Sequence, residues 1–509
     1  MSRCCFFCPF SDFSFAKNGF RYYIYGIEFQ IITERIFAMA ISDTLKQYGQ
    51  LSLLSALEKA APADKAAIEK QLEAINWAEL DRLIKEYVFQ KPETAIPDDL
   101  TPAPFFPFPA NTDALKARYA EAEKVGNELL AQGKVAALIV AGGQGTRLGF
   151  DGPKGTYPIT PVLKKTLFQY FAESLARAGE KAGKPINWYI MTSELNDKPT
   201  RDFFAANNFF GLNPENIMFF TQGMMPAIAY NGQLLLGGKD TLALAPNGHG
   251  GTLLALRKSG ALEQMKANGV EYISYFQVDN PLVPVVDPLF IGLHHLEGSE
   301  ISARMLPKTN PYEKLGNFCI TGGRLQIIEY SDMPAELAER RKADGTLDFL
   351  AGSPAIHVIS REFIERLTCD GQLHMPWHRA DKKVAYINEN GELVKPEETN
   401  AVKLESFIFD ALPLAEKTMV LEGCREELFA PTKNATGVDS AESCRAMLVA
   451  RDARRMELAG IKIPRKADGT PDCIVELSPR SVFDDADAIE FFKNNTVTIA
   501  AGDVKAFGK

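Results

Sequence analysis

The segment from Ala141 to Gly155 combines closely spaced glycines with two cations. In one-letter code it reads AGGQGTRLGFDGPKG, and the cations are Arg147 and Lys154. Glycine has no side chain, so backbone N–H groups in such a segment can approach phosphate oxygens closely and form an anion-binding nest. Two fixed positive charges beside that nest suit the several negative charges of a nucleoside triphosphate. The segment therefore predicts a triphosphate-binding loop.

Two better-known glycine motifs fit this segment poorly. A Walker A loop needs Ser or Thr directly after its lysine, whereas Gly155 follows Lys154. A dinucleotide-binding fingerprint needs a third glycine and a helix that begins at once. Leu148 stands at that third position, and Pro153 interrupts an immediate helix.

The elements around the loop predict an α/β fold. The apolar run 135–140 precedes the loop, as a buried parallel strand would. Strand candidates at 186–191, 216–220, 272–278 and 301–305 alternate with helix candidates at 167–182, 200–207 and 252–268. This alternation indicates a layered domain around a mostly parallel sheet, spanning residues 135–430. Residues 39–134 are predicted to be mainly helical, and 431–509 to form a small C-terminal module.

Composition and charge exclude several classes of protein. The chain has 509 residues, 46% of them hydrophobic, a net charge of -9 and a sequence pI near 5.5. An acidic chain argues against a broad nucleic-acid-binding surface. No segment has the length and apolar content of a membrane span. Five singly scattered cysteines beyond residue 300 favour free thiols in a reducing compartment, and we expect the cytoplasm.

The first 38 residues differ from the rest of the chain. They are rich in Phe, Tyr and Cys, and they contain neither a compact apolar segment nor a clear cleavage site for a signal peptide. One hypothesis is that translation starts at Met39 and that the preceding leader is absent from the native protein. The intact mass of the native protein tests it.

Several further segments, in a fixed order, carry a family resemblance. The glycine segment, extended to LIVAGGQGTRLGFDGPKG, resembles the activation loop of UDP-sugar pyrophosphorylases, and in particular of the UDP-N-acetylglucosamine pyrophosphorylase branch. The other segments are FFTQGMMPAI at 219–228, LAPNGHGGTLLAL at 244–256, YFQVDNPLV at 275–283, KLGNFC at 314–319, IIEYSDMP at 327–334, KLESFIFDAL at 403–412 and PTKNA at 431–435. The resemblance implies a Rossmann-like, three-layer nucleotidyltransferase fold of the GT-A-like type, with a mixed, mostly parallel sheet.

The resemblance also implies where the nucleotide binds. A glutamine amide offers both a donor and an acceptor to a uracil edge, and Gln222 is implied to read the base. The UDP-N-acetylglucosamine branch commonly has Asn where this chain has His249, and other UDP-sugar pyrophosphorylases have His. The implied nucleotide-binding residues are Ala141, Gly142, Gly143, Gly145, Gln222, Gly248, His249 and Gly250.

A carboxylate and a third cation complete the expected catalytic set. Asp279 ends an apolar run, and the carboxyl end of a strand is the usual ligand edge of an α/β sheet. Mg²⁺ prefers one or two carboxylates together with substrate phosphates, so Asp279 is the predicted ligand of Mg²⁺ or Mn²⁺, and Asp410 is a possible second one. The resemblance implies that Lys433 contacts the α-phosphate. Arg147, Lys154 and Lys433 are thus the expected catalytic residues.

The expected reaction is UTP plus a sugar 1-phosphate giving a UDP-sugar and diphosphate. For the sugar, the resemblance implies Gly316, Glu329, Phe407, Phe409 and an Asn, but Ser353 stands where the Asn is expected. N-acetylglucosamine 1-phosphate is the expected sugar substrate. UDP-glucose, UDP-galactose or a broad range of UDP-sugars are alternative products, and a catalytically silent nucleotide-sugar-binding protein is an alternative of another class. No nucleic-acid or membrane partner is expected, and the sequence predicts no oligomeric state.

Overall fold

The computed structural model describes residues 41–91, 96–493, 495 and 497–508. The predicted leader lies outside these residues. The described chain forms two compact units. The first contains residues up to 90 together with 228–243 and 383–401, and the second contains 91–227, 244–382 and the chain from 402 onward.

The first unit is mainly helical, and its helices lie within the range 39–134 that the sequence predicts to be mainly helical. After a helical stretch at 41–47, its helices are α1 (Leu51–Lys59), α2 (Pro62–Glu73) and α3 (Trp77–Leu83), followed by a π-helical turn at Ile84–Phe89. The buried amide of Gln50 donates to Gly232 O at 2.9 Å and accepts from Leu234 N–H at 2.8 Å. A polar side chain near the start of the unit thus holds a segment that is distant in sequence. The division of the chain at residues 134 and 430 stays a prediction.

An eleven-stranded mixed sheet forms the centre of the second unit. The strands are β1 (Thr101–Pro102), β2 (Val135–Val140), β3 (Asn187–Thr192), β4 (Ile217–Thr221), β5 (Tyr272–Gln277), β6 (Ile301–Pro307), β7 (Gly316–Thr321), β8 (Arg324–Ile328), β9 (Ala351–Ser353), β10 (His357–Ser360) and β11 (Thr418–Glu422). Their order is β1-β7-β9-β6-β10-β5-β2-β3-β4, with β8 paired to β7 and β11 paired to β6. The pairings among β5, β2, β3 and β4 are parallel, and so is the pairing of β11 with β6.

Helices cover the sheet and bury its apolar side chains in two large clusters. One cluster contains Phe171 and Phe276, and the other contains Tyr275 and Phe318. Alternate side chains of one strand enter different clusters, as expected for a sheet packed on both faces. The helices are α4 (Asp113–Gln132), α5 (Leu167–Ala182), α6 (Asp197–Ala206), α7 (Thr252–Lys258), α8 (Ala261–Ala267), α9 (Pro288–Glu297), α10 (Ala335–Glu339), α11 (Arg361–Leu367), α12 (Arg425–Leu428), α13 (Ala441–Leu458) and α14 (Asp485–Lys493).

Shorter strands complete the second unit. Met224–Pro226 pairs with Leu244–Pro246, and Ile474–Leu477 pairs with Val504–Phe507. His378–Lys382 and Ala401–Glu405 are neighbouring strands of a further small sheet. The predicted mixed α/β architecture is confirmed. In the described part of the chain, no helix combines the length and apolar content that crossing a bilayer requires.

One helix prediction is wrong. The sequence predicts a single helix over 252–268, but the structure has two, α7 and α8, which are separated at Gly260. Gly260 has φ +78°, a left-handed conformation that glycine adopts without steric cost. The helical periodicity continues across this break, so periodicity alone could not reveal it.

Candidate active site

The glycine loop begins at the carboxyl end of β2 and folds back on itself. Ala141 N–H donates to Met191 O on β3 at 2.8 Å. Lys154 N–H donates to Gly143 O at 3.0 Å, and Gly145 N–H donates to Gly152 O at 2.9 Å. These bonds return Lys154 to the start of the loop. Glycine at position 152 is required because its φ is +138°, which other residues rarely adopt.

The loop presents unused donors. In the described part of the chain, the N–H groups of Gly142 and Gly143 have no protein acceptor. Arg147 is exposed, and its guanidinium has no partner among the described residues. Free N–H groups beside a free guanidinium are the donor set that an anion such as a phosphate group needs. The triphosphate-binding role of the loop stays a prediction.

Lys154 and Asp279 form a nearly buried ion pair. The distance from Lys154 Nζ to Asp279 Oδ2 is 3.6 Å, and the two side chains are 8% and 12% exposed. Gly155 lets Lys154 reach this depth, because a Cβ at position 155 would lie 2.1 Å from the ring of Phe168. Asp279 lies just beyond the end of β5, beside the loop. The structure therefore brings the predicted phosphate cation and the predicted metal ligand into contact.

Gln222 connects the loop to the second glycine turn. Its N–H donates to Thr192 O at 2.8 Å, and its Nε2 donates to Gly248 O at 2.7 Å. Its Oε1 lies 3.1 Å from the position that a Cβ on Gly142 would take. The carboxamide is thus held beside the loop backbone, where the resemblance implies the uracil. Gly248 must be glycine, because a Cβ there would lie 2.2 Å from Ser406 O.

His249 is a neutral imidazole whose Nδ1 accepts a backbone hydrogen bond. Its Nδ1 accepts from Ile408 N–H at 3.2 Å, and its ring stacks on Phe407 with centroids 5.3 Å apart. Burial lowers the pKa of His249 to about 4, with a further contribution from His378. Because Nδ1 accepts, the proton of the neutral ring is on Nε2. His249 therefore offers a donor where an Asn offers both a donor and an acceptor.

The residues expected to bind the sugar lie on two surfaces. Gly316 and Ser353 are register partners between β7 and β9. Glu329 joins them, because its Oε1 lies 3.4 Å from where a Cβ on Gly316 would be. Burial raises the pKa of Glu329. The rings of Phe407 and Phe409 have centroids 5.2 Å apart.

His378, which the sequence analysis missed, connects these two surfaces. Its ring centroid lies 4.4 Å from that of Phe407, and its charge acts on Glu329. Its Nε2 is 2.8 Å from Asp410 Oδ2, which also accepts from Phe407 N–H at 3.1 Å. Burial acts to lower the pKa of His378, but the hydrogen bond to Asp410 and the nearby carboxylates outweigh it and raise the pKa. Asp410, the possible second metal ligand, is thus engaged with His378 and with the N–H of Phe407, and its metal role stays a prediction.

The segment that carries Lys433 is bonded to Asp279, since Thr432 N–H donates to Asp279 O at 2.8 Å. Two residues that the sequence analysis missed, Asn280 and Asp439, contact the same segment. Asn280 donates from Nδ2 to Leu428 O at 2.7 Å and accepts from Ala430 N–H at 2.9 Å. Lys433 Nζ lies 4.0 Å from Asp439 Oδ2. Burial raises the pKa of Asp439, and the charge of Asp279 adds to this effect while Lys433 opposes it. The position of Asn280, directly after a predicted metal ligand, was the available sequence signal. Nothing local marks Asp439.

Comparison with known proteins decides the family. Residues 83–498 match the family described as UTP–glucose-1-phosphate uridylyltransferase. The chain belongs to this family. UDP-N-acetylhexosamine pyrophosphorylase-like protein 1 of Homo sapiens is 39% identical over 377 residues, which cover 70% of this chain and 74% of the relative. UDP-N-acetylglucosamine diphosphorylase 2 of Arabidopsis thaliana is 32% identical over 465 residues, covering 86% and 89%.

A solved structure supports the fold. The uridine diphosphate N-acetylglucosamine pyrophosphorylase from Trypanosoma brucei superposes with a TM-score of 0.76, covering 92% of this chain and 98% of that one. At 24% identity this similarity shows the fold alone. Family and relatives confirm the resemblance that the ordered sequence segments carried, including its UDP-N-acetylglucosamine branch.

Proposed function

We propose that this chain transfers the uridylyl group of UTP to N-acetylglucosamine 1-phosphate and releases diphosphate. The observation that carries the proposal is the convergence of three features: the free N–H groups of Gly142 and Gly143, the Lys154–Asp279 pair and the carboxamide of Gln222. Together these groups could bind a base and a polyphosphate at the carboxyl ends of β2 and β5. The names of the relatives support N-acetylglucosamine as the sugar.

The reaction needs positioning and charge stabilisation more than covalent chemistry. A phosphate oxygen of the sugar phosphate attacks the α-phosphorus of UTP in line. The bond from that phosphorus to the bridging oxygen breaks, and diphosphate leaves with the electron pair. The attacking phosphate is already ionised, so no general base is required. Arg147 and Lys154 hold the β- and γ-phosphates, and Lys433 stabilises charge on the transferring group.

The residues present fit a divalent cation bound together with substrate. In the described part of the chain, no group of three or more His, Cys, Asp or Glu residues is arranged to hold a metal by itself. Asp279 is a single, nearly buried carboxylate beside the phosphate loop. Mg²⁺ is commonly bound by one or two carboxylates and substrate phosphates, so Asp279 would hold Mg²⁺ or Mn²⁺. When bound, the ion neutralises phosphate charge.

A hexose 1-phosphate is a second candidate substrate. It is favoured by His249, which presents only a donor, and by Ser353, whose side chain is shorter than that of Asn. Ser353 is among the residues expected to bind the sugar, and the ring of His249, an expected nucleotide-binding residue, stacks on Phe407 of the sugar set. UDP-glucose, UDP-galactose or a range of UDP-sugars would then be products.

One assay tests these proposals. Diphosphate release is measured with UTP and Mg²⁺ and with the 1-phosphates of N-acetylglucosamine, glucose and galactose. We expect the highest kcat/KM with N-acetylglucosamine 1-phosphate. A preference for a hexose would select the second candidate, and release with none of the sugars would leave a nucleotide-sugar-binding protein.

A lysine variant tests the catalytic assignment in the same assay. Lys433→Ala should lower kcat by about a hundredfold. Lys198→Ala is the matched control, because Lys198 is exposed and, among the described residues, pairs only with Asp202 on its own helix. Equal activity of the two variants would remove Lys433 from the mechanism.

The cellular compartment is a separate proposal. Cys319, Cys444 and Cys473 are buried free thiols. Unpaired thiols are typical of proteins that stay in a reducing compartment, and we place this chain in the cytoplasm. Imaging of the tagged full-length protein tests this, and secretion of the protein would contradict it.

A further inference from the structure

The turn that follows β3 holds the backbone of the glycine loop through two side chains. Asn196 is fully buried. Its Nδ2 donates to Ala141 O at 2.9 Å and to Gly143 O at 3.3 Å. Ser193 Oγ donates to Gly142 O at 2.9 Å, which is nearer than its other acceptor, Asn196 Oδ1, at 3.1 Å. Three successive carbonyl groups of the loop are therefore held by two side chains, which we call the carbonyl clamp.

The clamp is itself held rigidly. Asn196 Oδ1 accepts from Ser193 N–H at 2.8 Å. Asn196 stands directly before α6, and its carbonyl oxygen accepts the Thr200 N–H of that helix at 2.9 Å. The clamp is thus built on the end of a strand and the start of a helix, which are stiffer than the glycine segment it holds.

Holding these carbonyl groups also directs the N–H groups that the loop leaves free. A peptide unit is planar and trans, so the C=O of one residue and the N–H of the next point in opposite directions. The Ala141 carbonyl therefore sets the direction of the Gly142 N–H, and the Gly142 carbonyl sets that of the Gly143 N–H. Those two N–H groups are the donors that have no protein acceptor in the described part of the chain.

The same turn also positions the base-reading side chain. Thr192 O accepts the N–H of Gln222 at 2.8 Å, and the Gln222 carboxamide lies beside Gly142. Residues 192–196 thus contact both segments that face the implied uracil. Glycine backbones have wide conformational freedom, so the loop needs external contacts to keep its donors aligned with Gln222.

We infer that Ser193 and Asn196 are positioning residues that determine UTP affinity and the preference for uracil over other bases. They contact the loop from behind and act through Gly142 and Gly143. The inference rests on the proposed function, since it assumes that these N–H groups face UTP. Pre-alignment of the donors lowers the ordering cost of nucleotide binding.

The test is Asn196→Asp, which preserves side-chain volume but replaces the two donated hydrogen bonds with contacts between oxygens. KM for UTP should rise by about tenfold, as expected for loss of these bonds. KM for the sugar phosphate should change much less. The ratio of kcat/KM for UTP over CTP should fall, because the donors are no longer aligned with Gln222. A purely structural role would lower stability without changing this ratio.

Asn207→Asp is the matched control. It makes the same change at the other end of α6, where the Asn207 amide donates to Phe203 O and to no other acceptor in the described part of the chain. This variant should keep the UTP preference of the wild type. If Asn196→Asp does not show a cooperative thermal transition, Ser193→Ala takes its place, because it removes only the hydroxyl that holds Gly142 O.

The outcomes separate this inference from the proposed function. If a folded clamp variant has an unchanged KM for UTP and an unchanged UTP-to-CTP ratio, while the wild-type enzyme is active, the positioning role of the clamp is overturned. Absence of turnover in the wild type overturns the proposed function instead. In that case calorimetry with UTP and CTP tests the inference about the clamp. Equal nucleotide affinities in the wild type and the variant would overturn that inference.

Discussion

Replacing Lys154 with Met removes one charge from a nearly buried ion pair of the candidate site. In the wild type, Lys154 Nζ lies 3.6 Å from Asp279 Oδ2, and about nine-tenths of each side chain is inaccessible to solvent. Met has a similar length and retains the apolar contacts of the lysine stem. The substitution therefore tests the charge and leaves Asp279 without its partner.

The magnitude follows from the distance and the burial. At an effective dielectric constant near 20, the attraction between unit charges at this separation is about 5 kcal/mol. Desolvation offsets part of it, and removal of one partner from a buried pair costs about 3–5 kcal/mol. The pair is longer than a charge-assisted hydrogen bond, so we expect a loss of about 1–3 kcal/mol in the free energy of unfolding.

A double-mutant cycle separates stability from catalysis. Lys154→Met should lower the melting temperature, and adding Asp279→Asn should recover most of that loss because no charge then remains unpaired. Activity should not recover. In the diphosphate-release assay, kcat should fall by about a hundredfold or more in Lys154→Met and should stay low in the double variant.

Lys165→Met is the matched control. Lys165 forms an ion pair with Glu173 at comparable burial, 7% and 11% exposed, and it also contacts Ser478. This variant should lose stability and yet keep kcat within about threefold of the wild type. Turnover of Lys154→Met near that of the wild type would refute the phosphate role. If the double variant is no more stable than Lys154→Met, the energetic coupling between Lys154 and Asp279 is refuted.

Three further predictions concern the same site. Arg147→Ala should leave the melting temperature unchanged, because Arg147 is exposed, and should lower kcat by about a hundredfold; near-normal turnover would remove it from the mechanism. Gly155→Ala should lower the melting temperature, because its Cβ would lie 2.1 Å from the Phe168 ring and overpacking costs about 1–3 kcal/mol. An unchanged melting temperature would contradict this close approach of Gly155 to Phe168. Burial raises the pKa of Glu329, so its charge is lost at a higher pH than that of an exposed glutamate. KM for the sugar phosphate should therefore rise as the pH falls through that raised value in the wild type, whereas Glu329→Gln should have a high KM throughout; parallel profiles would exclude Glu329 from sugar binding.

Local patterns predicted most of the elements near the site. The strand at 135–140 and the helix at 167–182 have the predicted bounds. Both predictions rest on short-range signals, namely an apolar run followed by turn residues and a helical repeat of apolar positions. The break at Gly260 was missed because a helix interruption depends on one φ angle and leaves the apolar repeat intact.

The partners of the site residues could not be predicted in the same way. The contacts of Asn196 with the loop join residues 55 and 53 positions apart, and the contact of His378 with Asp410 joins residues 32 positions apart. Such contacts depend on which strands are neighbours and in which register. A short polar residue after a strand has many possible partners in the sequence and acquires one only in the folded chain.

By itself, the sequence determined which functional groups are present: a glycine loop with two cations, a carboxylate at a strand end and the ordered segments of one family. These are properties of residue type and local spacing. Only the tertiary structure decided that Lys154 contacts Asp279, that Asp410 is engaged with His378, and that Ser193 and Asn196 hold the loop from behind. The physical reason is that the parallel pairing of β5, β2 and β3 brings their carboxyl ends to one edge of the sheet, where side chains distant in sequence meet.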